Sequence, residues 1–403
     1  MSATPVSSAI RRRREEGTGL EASRIADALA RACGLWRDRD YARRRDAIAA
    51  IAHSAGYSVA MLDNSIDALL KPFTSDALKL AAGTAARPTA PSRLDTPKTV
   101  GFIAAGNVAG AGIHEIAIAL IAGARVVIKT ASAEPIFFAE FARTLGEIDC
   151  DAGARIEVRN WSRDRTDLTA AFVENCDLVV AYGDDATIES LRRPNLIGFG
   201  SRVSGALIAP DGIEPSRIDE IADLLARDVA LFEQLGCLSL HQVFVVSRYG
   251  RAARELAIRM SRALERLSAS MPPARIPLHD AASIRGVRER ARWRAIAGEP
   301  VELFEGHGIE WTLILEPRAN SFKVSPGFRT VHVTAVRDLA EFRACIAPVS
   351  GRIEAMAVYG EGCEIEARAI GIPYVCAPGE MQSPPLDWRH GGGSFLDRMA
   401  GTR

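Results

Sequence analysis

The sequence predicts an α/β protein: a doubly wound, parallel-sheet domain followed by a second α/β domain. Three observations predict it. From residue 99 onward, short continuous apolar runs alternate with helical segments, the pattern of strands covered on both faces. The early runs close on Gly106, Lys129 and Gly183, where strands would give way to turns. Near Ala209-Pro210 the alternation breaks and then begins again.

Residues up to about 80 are rich in Ala, Arg and Leu, with Ile25, Leu29, Ile48, Ile51 and Met61 at helical intervals. The stretch 85–97 holds three prolines and reads as an extended connection, so 1–98 is a helical region plus linker. Residues 99–105 form a first strand ending in Gly106-Asn107. A buried helix follows over 114–122, stopped by Gly123 just past its end. Residues 124–128 are a second strand closing at Lys129, and Pro135 opens the next helix, where proline is tolerated. Strands at 155–158 and 178–182 flank a helix around 168–173. The span 99–210 is thus a nucleotide-type domain, whose ligands sit beyond the carboxyl ends of its strands. Pro215 and Ser216 start an amphipathic helix with Ile218, Ile221, Leu225 and Phe232 on one face; it stops at Gly236, and Cys237 is next. A strand at 242–247, a helix around 252–267 and strands at 311–315, 330–334 and 374–376 complete a second domain, 211–378. The tail 379–403, with Pro384-Pro385 and three consecutive glycines, reads as too irregular for a core element.

Composition excludes several classes of function. Fifty Lys plus Arg balance fifty Asp plus Glu, so no global field gathers nucleic acid or coats an anionic membrane. The run Arg11 to Arg14 is followed by Glu15 and Glu16 and reads as a solvated terminal segment. No stretch approaches the roughly 20 apolar residues of a bilayer span, and the N-terminus lacks a signal-like apolar core. The seven cysteines carry no CxxC pair, which argues for a reducing, cytoplasmic setting and against a zinc site or disulfide framework. The histidines show no ligand spacing either, and no metal is expected.

Three positions could carry chemistry. Cys237, beside Gly236 at a helix-to-strand turn, is open to a substrate. A thiol must lose its proton to attack, and the preceding helix offers its negative end. Activation would therefore come from backbone N–H groups or a side chain distant in sequence; the ordinary alternative is a buried structural thiol. Asn107 can donate to an oxyanion, or can simply cap a helix. Lys129 can bind ribose or phosphate, or leave the sheet for solvent.

Their order resembles the aldehyde dehydrogenase superfamily, and within it the acyl-CoA reductases, the family containing the fatty-acyl reductase of bacterial bioluminescence. The residues that carry this are Gly106-Asn107-Val108-Ala109-Gly110-Ala111-Gly112-Ile113-His114, Val126-Val127-Ile128-Lys129-Thr130-Ala131-Ser132, Val179 to Ile188 around Gly183, Ala226 to Phe232 leading into Cys237, and Pro384-Pro385-Leu386-Asp387-Trp388-Arg389-His390. The resemblance implies an aldehyde-dehydrogenase-like fold with a dinucleotide-binding domain and a catalytic domain. It implies Cys237 as the nucleophile of an acyl-enzyme and Asn107 as oxyanion donor with the Cys237 backbone N–H. Gly106, Lys129, Ser132 and Gly183 would meet the cofactor. Ser132 stands where NAD-specific relatives often place a glutamate, which favours NADPH over NADH.

Several residues depart from the family pattern: Ala109 and Leu240 replace prolines, Asp184 a small hydroxyl residue, and Gly391 an aspartate. Residues 190–210 contain no carboxylate, where hydrolytic relatives carry the glutamate that activates water. The implied activity is NAD(P)H-dependent reduction of an acyl-CoA or acyl-carrier thioester to an aldehyde. The alternatives are an acylating aldehyde dehydrogenase running oxidatively, or a silent relative that binds or scaffolds. A homo-oligomer and an acyl-transferring or activating partner enzyme are also implied. His114 and His241 are either site residues or packed structural histidines.

Overall fold

The structure is a computed structural model that describes residues 5–86, 97–209, 215–316 and 318–401, with side chains from residue 19 onward. Most of the predicted linker at 85–97 and the side chains of Arg11 to Arg14 lie outside the described residues.

Four helices come first: Pro5–Arg37, Ala42–Ala55, Val59–Leu70 and Ser75–Ala85. The second begins without a side-chain cap, whereas Ser58 and Thr74 cap the third and fourth by accepting from Met61 and Ala77 N–H. Their apolar residues pack on one another and on the helices Ile113–Ile121 and Phe137–Ile148 beside the first sheet. Trp36 is fully buried, packs edge-on against Phe137 with centroids 4.9 Å apart, and donates its indole N–H to Thr144 at 3.0 Å.

Five strands form the first sheet: β1 (Thr99–Ile103), β2 (Arg125–Thr130), β3 (Ile156–Asn160), β4 (Leu178–Tyr182) and β5 (Leu196–Phe199). All pairings are parallel, in the order β3-β2-β1-β4-β5. The order reverses between β1 and β4, and the crevice at such a point takes ligands in doubly wound sheets. The predicted strands agree to within two residues at each end; Lys129 lies inside β2 rather than after it.

The second sheet holds β6 (Val203–Ile208), β7 (Leu240–Val246), β8 (Glu302–Glu305), β9 (Thr312–Glu316), β10 (Thr330–Val336), β11 (Ile353–Tyr359) and β12 (Tyr374–Cys376). Their order is β12-β11-β6-β7-β10-β9-β8, with β8 alone antiparallel to its neighbour. Here β6, which a division at 210 leaves with the first domain, pairs with β7 and β11. The helix Pro215–Ala230 and the helix Arg251–Ser270 pack together on one face through Ile221, Leu225, Leu256 and Met260.

The tail corrects the expectation that it stays outside any core. Met381, Leu386, His390, Phe395 and Met399 are all buried. Its backbone is tied down residue by residue: Gly379 N–H donates to Asp228 at 2.6 Å, and the Tyr374 hydroxyl donates to the Glu380 carbonyl at 2.8 Å. Apart from the short last helix, Phe395–Met399, this burial comes without a repeating backbone and leaves no period in the sequence, so the pattern could not show it. No helix among the described residues is long and apolar enough to cross a membrane.

Candidate active site

A cavity of about 1100 Å³ runs between the two sheets. Gly106, Asn107, Lys129, Ser132, Gly183 and Cys237, the six residues singled out in the sequence, all line it. Its two ends differ in chemistry.

At one end is Cys237. The helix before it ends at Ala230, and the chain then makes a turn with Phe232, Glu233 and Gln234 at φ of 52°, 51° and 64°. Three successive non-glycine residues in the left-handed region cost roughly 1 kcal/mol or more apiece, so the surroundings must hold them. Phe232 N–H donates to Ser65 Oγ at 3.0 Å, and the Glu233 carbonyl accepts from Phe328 N–H at 2.8 Å. The Gln234 amide donates to the Thr330 carbonyl at 2.7 Å and accepts from Thr330 N–H at 2.8 Å. The Glu233 carboxylate takes a bidentate pair from Arg329 at 2.7 and 3.0 Å, and both side chains are buried. Phe328 and Arg329 are themselves left-handed, at φ of 50° and 57°. Two strained segments thus clasp each other and set the direction in which Cys237 leaves the turn. The Cys237 carbonyl accepts from Ser204 Oγ at 2.8 Å, and the thiol is partly exposed to the cavity.

Asn107 reaches this loop from β1, donating through Nδ2 to the Leu235 carbonyl at 2.6 Å. One of its two amide hydrogens is spent there; the other has no partner among the described residues. Tyr57, from the N-terminal helices, donates to the Asn107 carbonyl at 3.0 Å.

Sequence reasoning missed a pair at the same end. His390 Nδ1 and Glu115 Oε1 are 2.7 Å apart, both residues are buried, and His390 lines the same cavity as Cys237. Burial works against the imidazolium, yet Glu115 and Cys237 outweigh it and raise His390 to about 10. Burial likewise opposes the Glu115 carboxylate, but His390 brings it down to about 2. The ring is sandwiched between Phe199, 3.8 Å away at 11°, and Trp388, 4.1 Å away at 18°. Glu115 lies in the first turn of the helix Ile113–Ile121. That helix starts at Gly112, φ 92°, where a Cβ would stand 2.9 Å from the Tyr182 ring. The signals were present: Glu115 adjoins His114 in a quoted motif, and His390 ends another.

The other two histidines are packed at the cavity wall. His114 bonds the Pro384 carbonyl at 2.9 Å, and burial lowers its pKa. His241 accepts from Ser325 N–H at 3.1 Å, and burial pushes it down to about 4.

The far end is cationic. Lys129 is 9% exposed and makes no ion pair among the described residues; its ammonium lies 5.8 Å over the Trp161 ring. Burial, with Arg163 nearby, lowers its pKa. Arg163 and Arg193 line the same end and are exposed, as is Ser132. Gly183 leads into the short helix Asp185–Ser190, which Asp184 caps by accepting from Thr187 N–H at 2.7 Å. The unexpected carboxylate at Asp184 therefore serves its own helix.

Residues 19–402 match the family model described as acyl-CoA reductase (LuxC). A long-chain acyl-protein thioester reductase of Aliivibrio fischeri is 25% identical over 345 residues, spanning 80% of this chain and 69% of the relative. A second such reductase, from Photobacterium leiognathi, is 22% identical over 249 residues, 59% of this chain and 48% of its own length. Aldehyde dehydrogenase 21 of Physcomitrella patens superposes with a TM-score of 0.66 at 14% identity, covering 94% of this chain and 81% of that one. An indole-3-acetaldehyde dehydrogenase complexed with NAD+ gives 0.66 at 14% identity, covering 96% and 82%. The fold is that of the aldehyde dehydrogenases.

Proposed function

The chain belongs to the acyl-CoA reductase (LuxC) family, and from that premise we propose that it reduces an acyl thioester to an aldehyde through an acyl-enzyme on Cys237, with NADPH as reductant. The observation that carries the reading is one cavity with a presented sulfur at one end and an uncompensated cation at the other. A nearly buried lysine with no ion pair among the described residues fits an anionic ligand, and Arg163 beside it suits a second phosphate. Ser132, neutral and exposed, leaves space for that phosphate.

Cys237 attacks the thioester carbonyl, forming an S–C bond and expelling the carrier thiol. The remaining Asn107 amide hydrogen and the Cys237 backbone N–H receive the oxyanion, a role worth about 3 kcal/mol per donor. NADPH, when bound, supplies the hydride that reduces the acyl carbon. Lys129, Arg163 and Arg193 hold the phosphates and ribose, with Gly106 and Gly183 giving room at the strand ends. The clasp Glu233–Arg329 keeps the sulfur aimed into the cavity throughout.

No carboxylate of the cavity is free to activate water. The carboxylates lining the cavity are Glu115 and Asp184, the first paired to His390 and the second bound to its helix N-terminus. An acyl-cysteine that meets no activated water persists until it is reduced. Incubation with acyl-CoA and NADPH should yield aldehyde in step with nucleotide oxidation. A carboxylic acid product would contradict the reading. A melting temperature unmoved by either nucleotide would favour a silent binding protein, because a ligand of the native state must stabilise it.

A further inference from the structure

His390 has a geometry that the thiol reaction alone does not require. Its Nδ1 is taken by Glu115 at 2.7 Å, which leaves Nε2 for another partner, and His390 and Cys237 line the same cavity. Its ring is clamped between the faces of Phe199 and Trp388, so it cannot rotate away, and two aromatic faces favour a cation between them. The groups around it come from four further elements and the segment before β6. Glu115 faces it from the helix Ile113–Ile121, and Tyr182 stacks 6.1 Å away at the end of β4. Glu354, from β11, accepts Gly391 N–H at 3.0 Å and lies 3.9 Å from Arg202. Arg398, from the last helix, donates to the Gly391 carbonyl at 3.0 Å, and His114 adds a neutral ring. Two carboxylates and two guanidiniums balance.

Resting on the thiol reading above, we infer that His390 is a catalytic acid of this site: it holds Cys237 as a thiolate and gives its Nε2 proton to the thiol that leaves. Glu115 is its positioning residue. The balance closes. The Cys237 thiolate forms the new S–C bond; the carrier's C–S bond breaks with its electron pair on sulfur; His390 protonates that sulfur and becomes neutral. After reduction the aldehyde departs, Cys237 regains its thiolate, and His390 takes a proton from water, the one proton consumed with NADPH overall. Gly391, φ 63°, donates to Glu354 directly after the histidine, so the departure from aspartate there fits a backbone anchor for this ring.

The test compares acylation rates for two esters of the same acyl chain, the CoA thioester and an aryl thioester whose thiolate leaves without a proton. In His390→Asn, acylation by the CoA ester should fall at least about 100-fold, the usual worth of a placed proton donor. The aryl ester should lose roughly tenfold less, and the ultraviolet absorbance of the Cys237 thiolate should vanish. Equal losses for both esters would mean a merely structural histidine and overturn the proposal, as would an unchanged rate. Glu115→Gln keeps the ring in place and covers the case in which the first variant fails to fold. Its acylation should lose activity at a lower pH than the wild type, and an unmoved pH profile would also overturn the proposal. Failure of the wild type to be acylated by either ester would sink the thiol reading itself.

Discussion

The two ends of the cavity are built in opposite ways. At the cysteine end the charges are buried and paired within the protein: Glu115 with His390, Glu233 with Arg329. At the cofactor end Arg163 and Arg193 stand in solvent and Lys129 has no ion partner among the described residues. Folding alone fixes the first end, because an unpaired buried charge is too costly to leave. At the second end Arg163 and Arg193 stay hydrated, as a site proposed for phosphates requires. Substitutions at the cysteine end should therefore cost stability as well as rate, and those at the cofactor end should cost affinity alone.

The largest effect should come from Glu233→Ala. It leaves Arg329 buried without its carboxylate and releases three left-handed residues, so stability should drop by about 3–5 kcal/mol, read as a lower denaturation midpoint. A loss below 1 kcal/mol would mean the clasp does not hold the turn. The comparison sharpens with pH. His390 is raised from its ordinary value to about 10, so its contribution is complete below about pH 6.5 and fades as pH rises through 10. Glu115 is depressed to about 2, so its contribution is complete above about pH 4.5 and fades as pH falls through 2. Melting temperature should plateau between these limits and decline on both sides. His390→Asn should flatten both limbs, since the pair is one interaction; an unchanged profile would break the account.

Smaller effects belong to the cofactor end. Arg163→Ala should raise KM for NADPH about tenfold, the loss of one charge-assisted contact, with kcat and melting temperature unmoved. A matching rise for NADH would show that Arg163 does not read the extra phosphate. Smallest, Ser132→Glu should shift preference toward NADH by a few-fold, through repulsion of that phosphate.

The same contrast explains what could be read in the chain. The cofactor end is short-range: Gly106 and Gly183 follow strands and Lys129 lies near the end of one, and apolar runs with punctuation show such places directly. The glycine and helix end beside Cys237 fit a structural thiol equally well, and it was the order of the motifs that singled this cysteine out. The residues that orient it were not singled out. Glu115 and His390 lie 275 positions apart and Glu233 and Arg329 lie 96 apart, and no local pattern couples such positions. The helix Leu278–Ile296 went unread because its arginines fall on every side and no apolar stripe emerges. β6 follows β5 after three residues without an intervening helix, so the passage between sheets left no signal there.

The central claim is that one sulfur, Cys237, receives the acyl group. Intact mass measured after incubation with acyl-CoA in the absence of nucleotide tests it most directly. The wild type should gain the mass of one acyl group, sensitive to hydroxylamine and discharged by NADPH, and Cys237→Ala should gain none. An equal adduct on the alanine variant, or none on the wild type, would contradict it.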